Sequence, residues 1–349
     1  KASQLIHKTK LIRPALLALF CLGFVFFLPG CSNDVEPLRF SGPTMGTTYN
    51  VAIVPDDTAG QCSKDRLAKE IDASLVDTNQ HMSHYIADSE LSQLSRAPIN
   101  EALELSAQMF ELLSLSEGIY QASDGSFDIT LGPLVNLWGF GPEARPEVVP
   151  TDEELNARRE VVGIQHLSAT ATTVTKDIPN LYVDLSTIAK GWGVDVVANY
   201  LEELGITNYM VEVGGEMRVK GINKEGVAWR IAIEKPSVDE RSIQEIIEPG
   251  HHAVATSGDY RIYFEKEGVR YSHIINPITG KPIANKVVSV TVLDKSSMTA
   301  DGLATGLMVL GEEKGMEVAE QHNIPVFMIV KTQDGFKEIA SEAFKPFLK

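Results

Sequence analysis

Cysteine is scarce: the 349-residue chain has three, at positions 21, 31 and 62. Cys21 lies inside the N-terminal leader and Cys31 closes it, so Cys62 is the one thiol in the body of the chain. One thiol closes no internal disulfide and builds no zinc cage. Positive charge is short as well. There are 31 Lys and Arg against 47 Asp and Glu, a net charge of −16. The first thirty residues hold four of the cations (Lys1, Lys8, Lys10, Arg13) and no acid, so the remainder carries −20. A surface this acidic repels phosphate backbones, which argues against nucleic acid as a partner. It does not exclude a small phosphorylated ligand, because a local metal ion can hold one. Internal repeats, low-complexity tracts and a G-x-G-x-x-G turn after a strand are all missing. With 44% hydrophobic and 22% charged residues, the composition is that of a folded chain rather than a disordered one.

The leader reads as an address. A basic stretch (Lys8, Lys10, Arg13) precedes an apolar run from Ala15 to Leu28, interrupted only by Gly23. A comfortable membrane span needs about 20 apolar residues, so this run is short for one. It ends in Leu28-Pro29-Gly30-Cys31, which has the form of a bacterial lipobox, with Pro29 an atypical filler. The expectation is a lipoprotein signal peptide over 1–30, a lipidated tether over 31–40 starting at acylated Cys31, and a folded domain over 41–349. That places the protein on the periplasmic side of a bacterial cell envelope, lipid-anchored, with inner or outer membrane left open.

Within 41–349, Val51–Val54 reads as a strand. Leu67, Ile71 and Leu75 mark one face of a helix, and Leu105, Met109, Leu112 and Leu113 mark another that starts after Asn100. Prolines at 142, 146 and 150 precede an acidic helix start at Thr151. Val194, Val197, Ala198, Leu201 and Leu204 form a helical stripe that Gly205 ends. Strands are expected at Tyr209–Val213, Trp229–Ile233, Ala253–Thr256, Arg261–Phe264, Val287–Leu293 and Val326–Val330. A helix carrying Leu303, Leu307 and Leu310 should begin after Thr299 and end at Gly311. Grouped strands at hairpin spacing favour an α+β fold with a largely antiparallel sheet and flanking helices.

Five segments carry possible chemistry. Thr44-Met45-Gly46-Thr47-Thr48-Tyr49 sets a glycine among hydroxyls, which suits close approach to a ligand and suits an ordinary turn equally. Gly125-Ser126-Phe127-Asp128 through Gly132-Pro133, then Trp138-Gly139-Phe140-Gly141, interleaves glycines with aromatics. Either a planar ring lies against backbone there, or core aromatics pack a glycine-rich loop. In Asp184-Leu185-Ser186-Thr187-Ile188-Ala189-Lys190-Gly191, a strand passes into a helix that Ser186 or Thr187 can cap. Its free N–H groups favour an anion, and Lys190 one turn in suits a phosphate. Gly191 and Gly193 cost such a helix roughly 1 kcal/mol each, which points to close packing or close ligand approach. His273, ahead of Ile274-Ile275-Asn276-Pro277-Ile278-Thr279-Gly280, can act as a general base near neutral pH or be structural. Asp301 and Thr305 are spaced i, i+4 and share one helical face. They offer magnesium a carboxylate and a hydroxyl, or Asp301 serves only as an N-terminal helix acid.

Taken in order, these segments resemble the ApbE family of FAD:protein FMN transferases. The matching elements are Met45-Gly46-Thr47-Thr48, Met82-Ser83-x-Tyr85 with Asp88-Ser89-Glu90-Leu91, Gly125-x-Phe127-Asp128-x-Thr130-x-Gly132-Pro133, Asp184-Leu185-x-x-Ile188-Ala189-Lys190-Gly191, Gly214-Gly215-Glu216, Thr256-Ser257-Gly258, His273-Ile274-Ile275-x-Pro277-x-Thr279-Gly280 and Ala300-Asp301-x-x-Ala304-Thr305. The resemblance implies that 41–349 is a flavin transferase domain with an ApbE-like, T-fold-related fold. It implies Mg2+-dependent transfer of FMN from FAD to a threonine of flavin-carrying subunits of membrane redox complexes, with release of AMP. It implies FAD contacts at Met45, Tyr85, Ser126, Phe127, Asp128, Asp184, Lys190 and Ile275. Magnesium would be held by Asp301 and Thr305 with oxygen from Thr187 and Ala304, and His273 would take the threonine proton. One departure is Asn276, where the family usually has Asp. Two other activities remain compatible with the same residues: hydrolysis of FAD to FMN and AMP, and FAD storage by a binding lipoprotein.

The leader generates a test of its own. Metabolic lipid labelling is expected to disappear in Cys31→Ser, and a variant that still carries the label contradicts anchoring at that residue.

Overall fold

The computed structural model describes residues 36–56, 63–141, 149–236, 243–259 and 262–349. The leader, Cys31 and Cys62 lie outside them. Alternation of buried and open positions makes the strands. Tyr209, Val211 and Val213 all turn inward from Tyr209–Val213, while Met210 and Glu212 stay half-open. Eight such strands build the main sheet: β1 (Leu38–Thr44), β2 (Thr47–Ile53), β3 (Tyr209–Val213), β4 (Glu216–Lys220), β5 (Ala253–Gly258), β6 (Val287–Asp294), β7 (Val326–Thr332) and β8 (Gly335–Ala340). They lie side by side in chain order, and every neighbouring pair is antiparallel. The α+β expectation with an antiparallel sheet therefore holds.

Among the described residues the connections carry seven helices: α1 (Lys64–Met82), α2 (Glu90–Arg96), α3 (Ala107–Ala122), α4 (Gly132–Leu137), α5 (Asp152–Arg159), α6 (Ser186–Glu203) and α7 (Ser297–Gln321). Leu67, Ile71 and Leu75 of α1 pack with Val194, Val197 and Leu201 of α6 onto Tyr49, Val51 and Val211 of the sheet. Helix α7 lies in a second core with α3 and with Val290 and Val292 of β6. The opposite face of the sheet buries Phe327, Ile329 and Leu293 under the ribbon Ile231–Glu234/Ile243–Ile247 and Phe344. β6 and β7 are covered on both faces, which is why they read as nearly unbroken apolar runs.

Several expected boundaries move. Leu38–Phe40, assigned to the tether, pair with Val51–Ile53, and Phe40 is buried, so the domain begins earlier than residue 41. The second helix starts at Ala107 and not after Asn100, because Leu103–Glu104 pair with Thr173–Val174 and the Ser106 hydroxyl caps the helix by accepting from Met109 N. The strand expected from Trp229 begins at Ile231. The one expected from Arg261 runs Tyr263–Lys266, and Arg261 itself lies outside the described residues. Neither Ser186 nor Thr187 is the N-cap of α6. That position is Leu185, and the Asp184 carboxylate accepts from Ser186 N at 2.9 Å. Helix α7 starts at Ser297, with Ser296 as N-cap, so Asp301 is not a capping residue. Gly311 (φ 83°) does break α7, but helix resumes and runs to Gln321. The Asn285 side chain donates to the Met308 carbonyl beside the break.

Two features fix α6 against α7. At Gly191 the helices touch: a Cβ there would lie 2.6 Å from the Ser297 carbonyl oxygen and 2.8 Å from Met298 N. One turn on, the buried Asp195 carboxylate accepts from Ser297 N (2.9 Å), Met298 N (3.0 Å) and Ser296 Oγ (2.8 Å), and pairs with Arg218 at 3.1 Å. It thus satisfies the first N–H groups of α7 and places negative charge at that helix's positive end. Gly191→Ala is expected to cost about 2 kcal/mol through overpacking, and Asp195→Ala about 3 kcal/mol by leaving the first N–H groups of α7 without their acceptor, while Arg218 keeps Glu202 at 2.7 Å. Urea unfolding measures both, and wild-type midpoints would remove the crossing from its structural role.

Candidate active site

The crossing brings three charged side chains together. Lys190 Nζ lies 2.8 Å from Glu216 Oε1 and 3.5 Å from Asp301 Oδ2, and Gly191 N donates to the same Asp301 oxygen at 3.3 Å. Glu216 opens β4 directly after the Gly214-Gly215 turn. A side chain at Gly214 would press within 2.8 Å of Lys190 Cδ and of Thr47 Cγ2, so the absence of a Cβ makes room for the lysine stem. Burial works against the Lys190 ammonium, but Asp301 and Glu216 together outweigh it and raise its pKa. Asp301 shows the reverse balance. Burial first, and then repulsion from Glu216, push its carboxyl up to about 8 against the pull of Lys190. One ammonium shared between two carboxylates leaves this buried cluster with an unmet demand for positive charge.

Two adjoining cavities open beside the cluster. The first, about 480 Å³, is lined by ten of the expected residues: Ser126, Phe127, Asp128, Asp184, Thr187, Lys190, His273, Ile275, Asp301 and Thr305. The second, about 680 Å³, holds Met45 and Tyr85. Val135, Phe140, Asp184, Ser186 and Lys190 line both. Apolar and polar groups thus meet where one cavity passes into the other. Ala304 is fully buried and lines neither cavity.

Not every lining side chain is free to hold a ligand. The Ser126 hydroxyl is shared between the carbonyls of Ser123 and Gly306, at 2.7 Å each, and ties α7 to the loop after α3. Asp128 accepts from Thr130 N and Thr130 Oγ1 through one oxygen and from Ile164 N through the other. Burial still raises its pKa despite those bonds. Thr305 Oγ1 meets Ser257 Oγ at 2.8 Å, and Thr256 N donates to Glu216. Glu216, Thr256 and Ser257 carry no role in the sequence reading. Their only signal there is the acid after a Gly-Gly turn and the paired hydroxyls before Gly258.

His273 is held by its backbone-facing nitrogen. Nδ1 lies 3.0 Å from the Ile262 carbonyl oxygen, which can only accept, so Nδ1 carries the proton and Nε2 keeps the lone pair. Its ring meets that of Phe140 at a steep angle of 71°, with centroids 6.3 Å apart. Asn276 serves the turn: Oδ1 accepts from Ile278 N (2.8 Å) and Thr279 N (3.2 Å). A carboxylate there would accept the same two bonds, so the departure from the family residue leaves this turn intact.

The donor set also limits which metal fits. Among the described residues no three His, Cys, Asp or Glu side chains converge as a metal site. Among the described residues, four carboxylates (Asp128, Asp184, Glu216, Asp301) and one strong cation, Lys190, line the first cavity. A cation bound beside these carboxylates would favour an anionic substrate there. Asp301, Thr305 and main-chain carbonyls are hard oxygens, which suit a magnesium ion that shares phosphate oxygens.

The model of the ApbE family matches residues 45–328. The chain belongs to the ApbE family. It is 62% identical over 330 residues to the FAD:protein FMN transferase of Vibrio cholerae serotype O1, covering 95% of this chain and 98% of that protein. It is 45% identical to the FAD:protein FMN transferase of Haemophilus influenzae, over 96% of this chain and 98% of the relative. The solved flavin transferase ApbE from Vibrio cholerae superposes with a TM-score of 0.83 at 63% identity, covering 90% of this chain and 99% of that one.

Burial lowers the His273 pKa, only partly opposed by its bond to Ile262. The folded chain therefore takes its proton at lower pH than the unfolded chain does. Stability from this group is full above the ordinary histidine value of 6.5 and is lost as the pH falls below it. An NMR titration of the His273 ring is expected to show a midpoint below 6.5. A midpoint at or above that value contradicts the desolvated, neutral imidazole.

Proposed function

We propose that this chain, a transferase of the ApbE family, moves the FMN half of FAD onto a threonine hydroxyl of acceptor proteins, with AMP as the leaving product. The observation that carries this reading is the junction of the two cavities. A dinucleotide occupying both must pass its pyrophosphate through the one stretch that is polar on one side, at Asp184, Ser186 and Lys190. That stretch leads to the Asp301 and Thr305 oxygens and to His273 within the same cavity.

Each group then has a task. Lys190 pairs with a pyrophosphate oxygen, and Glu216 holds the lysine in place. His273 Nε2 accepts the proton of the incoming threonine hydroxyl, its ring fixed by the Nδ1 bond to Ile262. The threonine oxygen forms a bond to the FMN-side phosphorus, and the bond from that phosphorus to the bridging oxygen breaks. AMP departs with the bridging oxygen. Asp301 and Thr305, with oxygen from Thr187 and Ala304, would hold magnesium, which when bound neutralises negative charge growing on the phosphate oxygens. The raised pKa of Asp301 supports this assignment, because a divalent cation supplies the charge that its burial leaves unmatched.

The leader supports a location. On the same reading the enzyme is tethered through Cys31 on the periplasmic side of a bacterial envelope. There it meets flavin-carrying subunits of membrane redox complexes.

Mixing the chain with FAD, Mg2+ and a threonine-bearing acceptor is expected to add the mass of FMN to that threonine and to release one AMP per transfer. Asp301→Asn should slow transfer by at least about 10²-fold, and His273→Ala by about 10²–10⁴-fold. Wild-type rates in either variant remove that residue from the mechanism. AMP release at an undiminished rate without acceptor assigns hydrolysis instead.

A further inference from the structure

We propose that Ser257 is a positioning residue for the cation site: it takes the hydroxyl proton of Thr305 and so leaves the Thr305 lone pairs for a hard cation in the first cavity. The inference rests on the magnesium reading above and deepens it.

A hydroxyl inside a helix has a default partner. Ser and Thr side chains there donate back to the carbonyl one turn earlier. This chain does so at Thr78 to Ser74 (2.9 Å), Ser95 to Leu91 (3.1 Å), Ser114 to Phe110 (2.8 Å) and Ser116 to Leu112 (2.8 Å). Thr305, inside α7, departs from that pattern. Among the described residues its hydroxyl has one hydrogen-bond partner, Ser257 Oγ at 2.8 Å, which comes from the sheet and not from the helix.

Strand alternation puts Ser257 there. Ala255 is buried in the core that α7 shares with β6, and Ser257, two residues further along β5, points to the same face. Pairing sets Ser257 opposite Val290 of β6. Ser257 and Thr305 both line the first cavity, together with Asp301.

Each hydroxyl has one proton and two lone pairs, so the bond between them can run either way. A cation selects the direction. An oxygen ligand faces the ion with a lone pair, and its proton then needs an acceptor on the other side. Ser257 Oγ is that acceptor, at 2.8 Å. Without it the Thr305 hydroxyl is free to take the helix carbonyl instead, as Thr78 does. Partners that orient a ligand in this way typically change metal affinity by about 10–100-fold when removed.

The test follows Mn2+, a hard-oxygen cation whose free fraction EPR reads directly, titrated into the chain with and without FAD. Variants are compared in whichever state binds the ion more tightly. Ser257→Ala is expected to weaken Mn2+ binding about tenfold. The Mg2+ concentration that half-saturates FMN transfer should rise by a similar factor, with kcat at saturating Mg2+ changed less. Ser257→Thr keeps the hydroxyl and should retain most of the wild-type affinity. In a Thr305→Val background the serine has no hydroxyl left to orient, so adding Ser257→Ala should change Mn2+ affinity by less than about twofold. A loss as large in that background as in the wild type marks a merely structural serine and overturns the inference. So does a Ser257→Ala affinity within about twofold of wild type, or a Ser257→Thr variant as weak as Ser257→Ala. If the alanine variant does not fold, Ser257→Cys, whose sulfur is a weak acceptor, is judged by the same outcomes. A wild-type chain that takes up no Mn2+ in either state overturns the magnesium reading itself, a result distinct from a wild type that binds the ion and a Ser257→Ala variant that matches it.

Discussion

The crossing of α6 and α7 is the constraint on which the site depends. Gly191 lets the two helices touch, and Asp195 one turn later clasps the N-terminus of α7. With that contact fixed, Asp301 has no freedom to move away from Lys190 and Gly191. Thr305, one turn further along α7, is likewise delivered to Ser257 at the end of β5. Ser126 adds a third tie by bonding the Gly306 carbonyl. Gly191, which looked costly in α6, is therefore where the helices touch, and α7 has glycines of the same kind: a Cβ at Gly302 would meet Ile119 and one at Gly306 would meet Ser123, both within 3 Å.

That rigidity explains why unfavourable charge persists in the interior. Asp301 and Glu216 share one ammonium in a buried space, and the raised pKa of Asp301 registers the mismatch. In an adaptable pocket the side chains would turn toward water. Here helix contacts hold them, and the strain is available to whichever cation and phosphate complete the cluster. His273 sits in the same cavity under a different regime. Desolvation keeps it neutral against the opposing effect of one carbonyl bond, which fixes the proton on Nδ1 and leaves the second nitrogen unprotonated. Two groups with displaced pKa values in one cavity, an acid raised and an imidazole lowered, are an arrangement common at sites of proton and phosphoryl transfer.

Periodicity made the framework legible. Val194, Val197, Ala198 and Leu201 announced α6, and alternation announced β3, because both patterns record burial on one face. The antiparallel sheet followed from the grouping of strands. Boundaries were less legible where a local bond decides them. Ser106 rather than Asn100 begins α3, because its hydroxyl caps Met109 N while Leu103–Glu104 are drawn into strand pairing. The cavity residues were legible mainly through their resemblance to a family; from the residues alone, Ser126–Asp128 looked as much like packing as like a ring site. Asp195 stayed invisible because a lone acid in Val194-Asp195-Val196-Val197 gives no hint that a second helix begins against it.

The central claim is that the two cavities form one dinucleotide site bent at Lys190. A crystal structure of the chain with FAD and Mg2+ tests it most directly. The account expects one FAD spanning both cavities, its pyrophosphate at Lys190 and Ser186, the metal on Asp301 and Thr305, and the FMN-side phosphorus accessible from His273 Nε2. FAD confined to one cavity, or a pyrophosphate remote from Lys190 with no metal on Asp301, would contradict it.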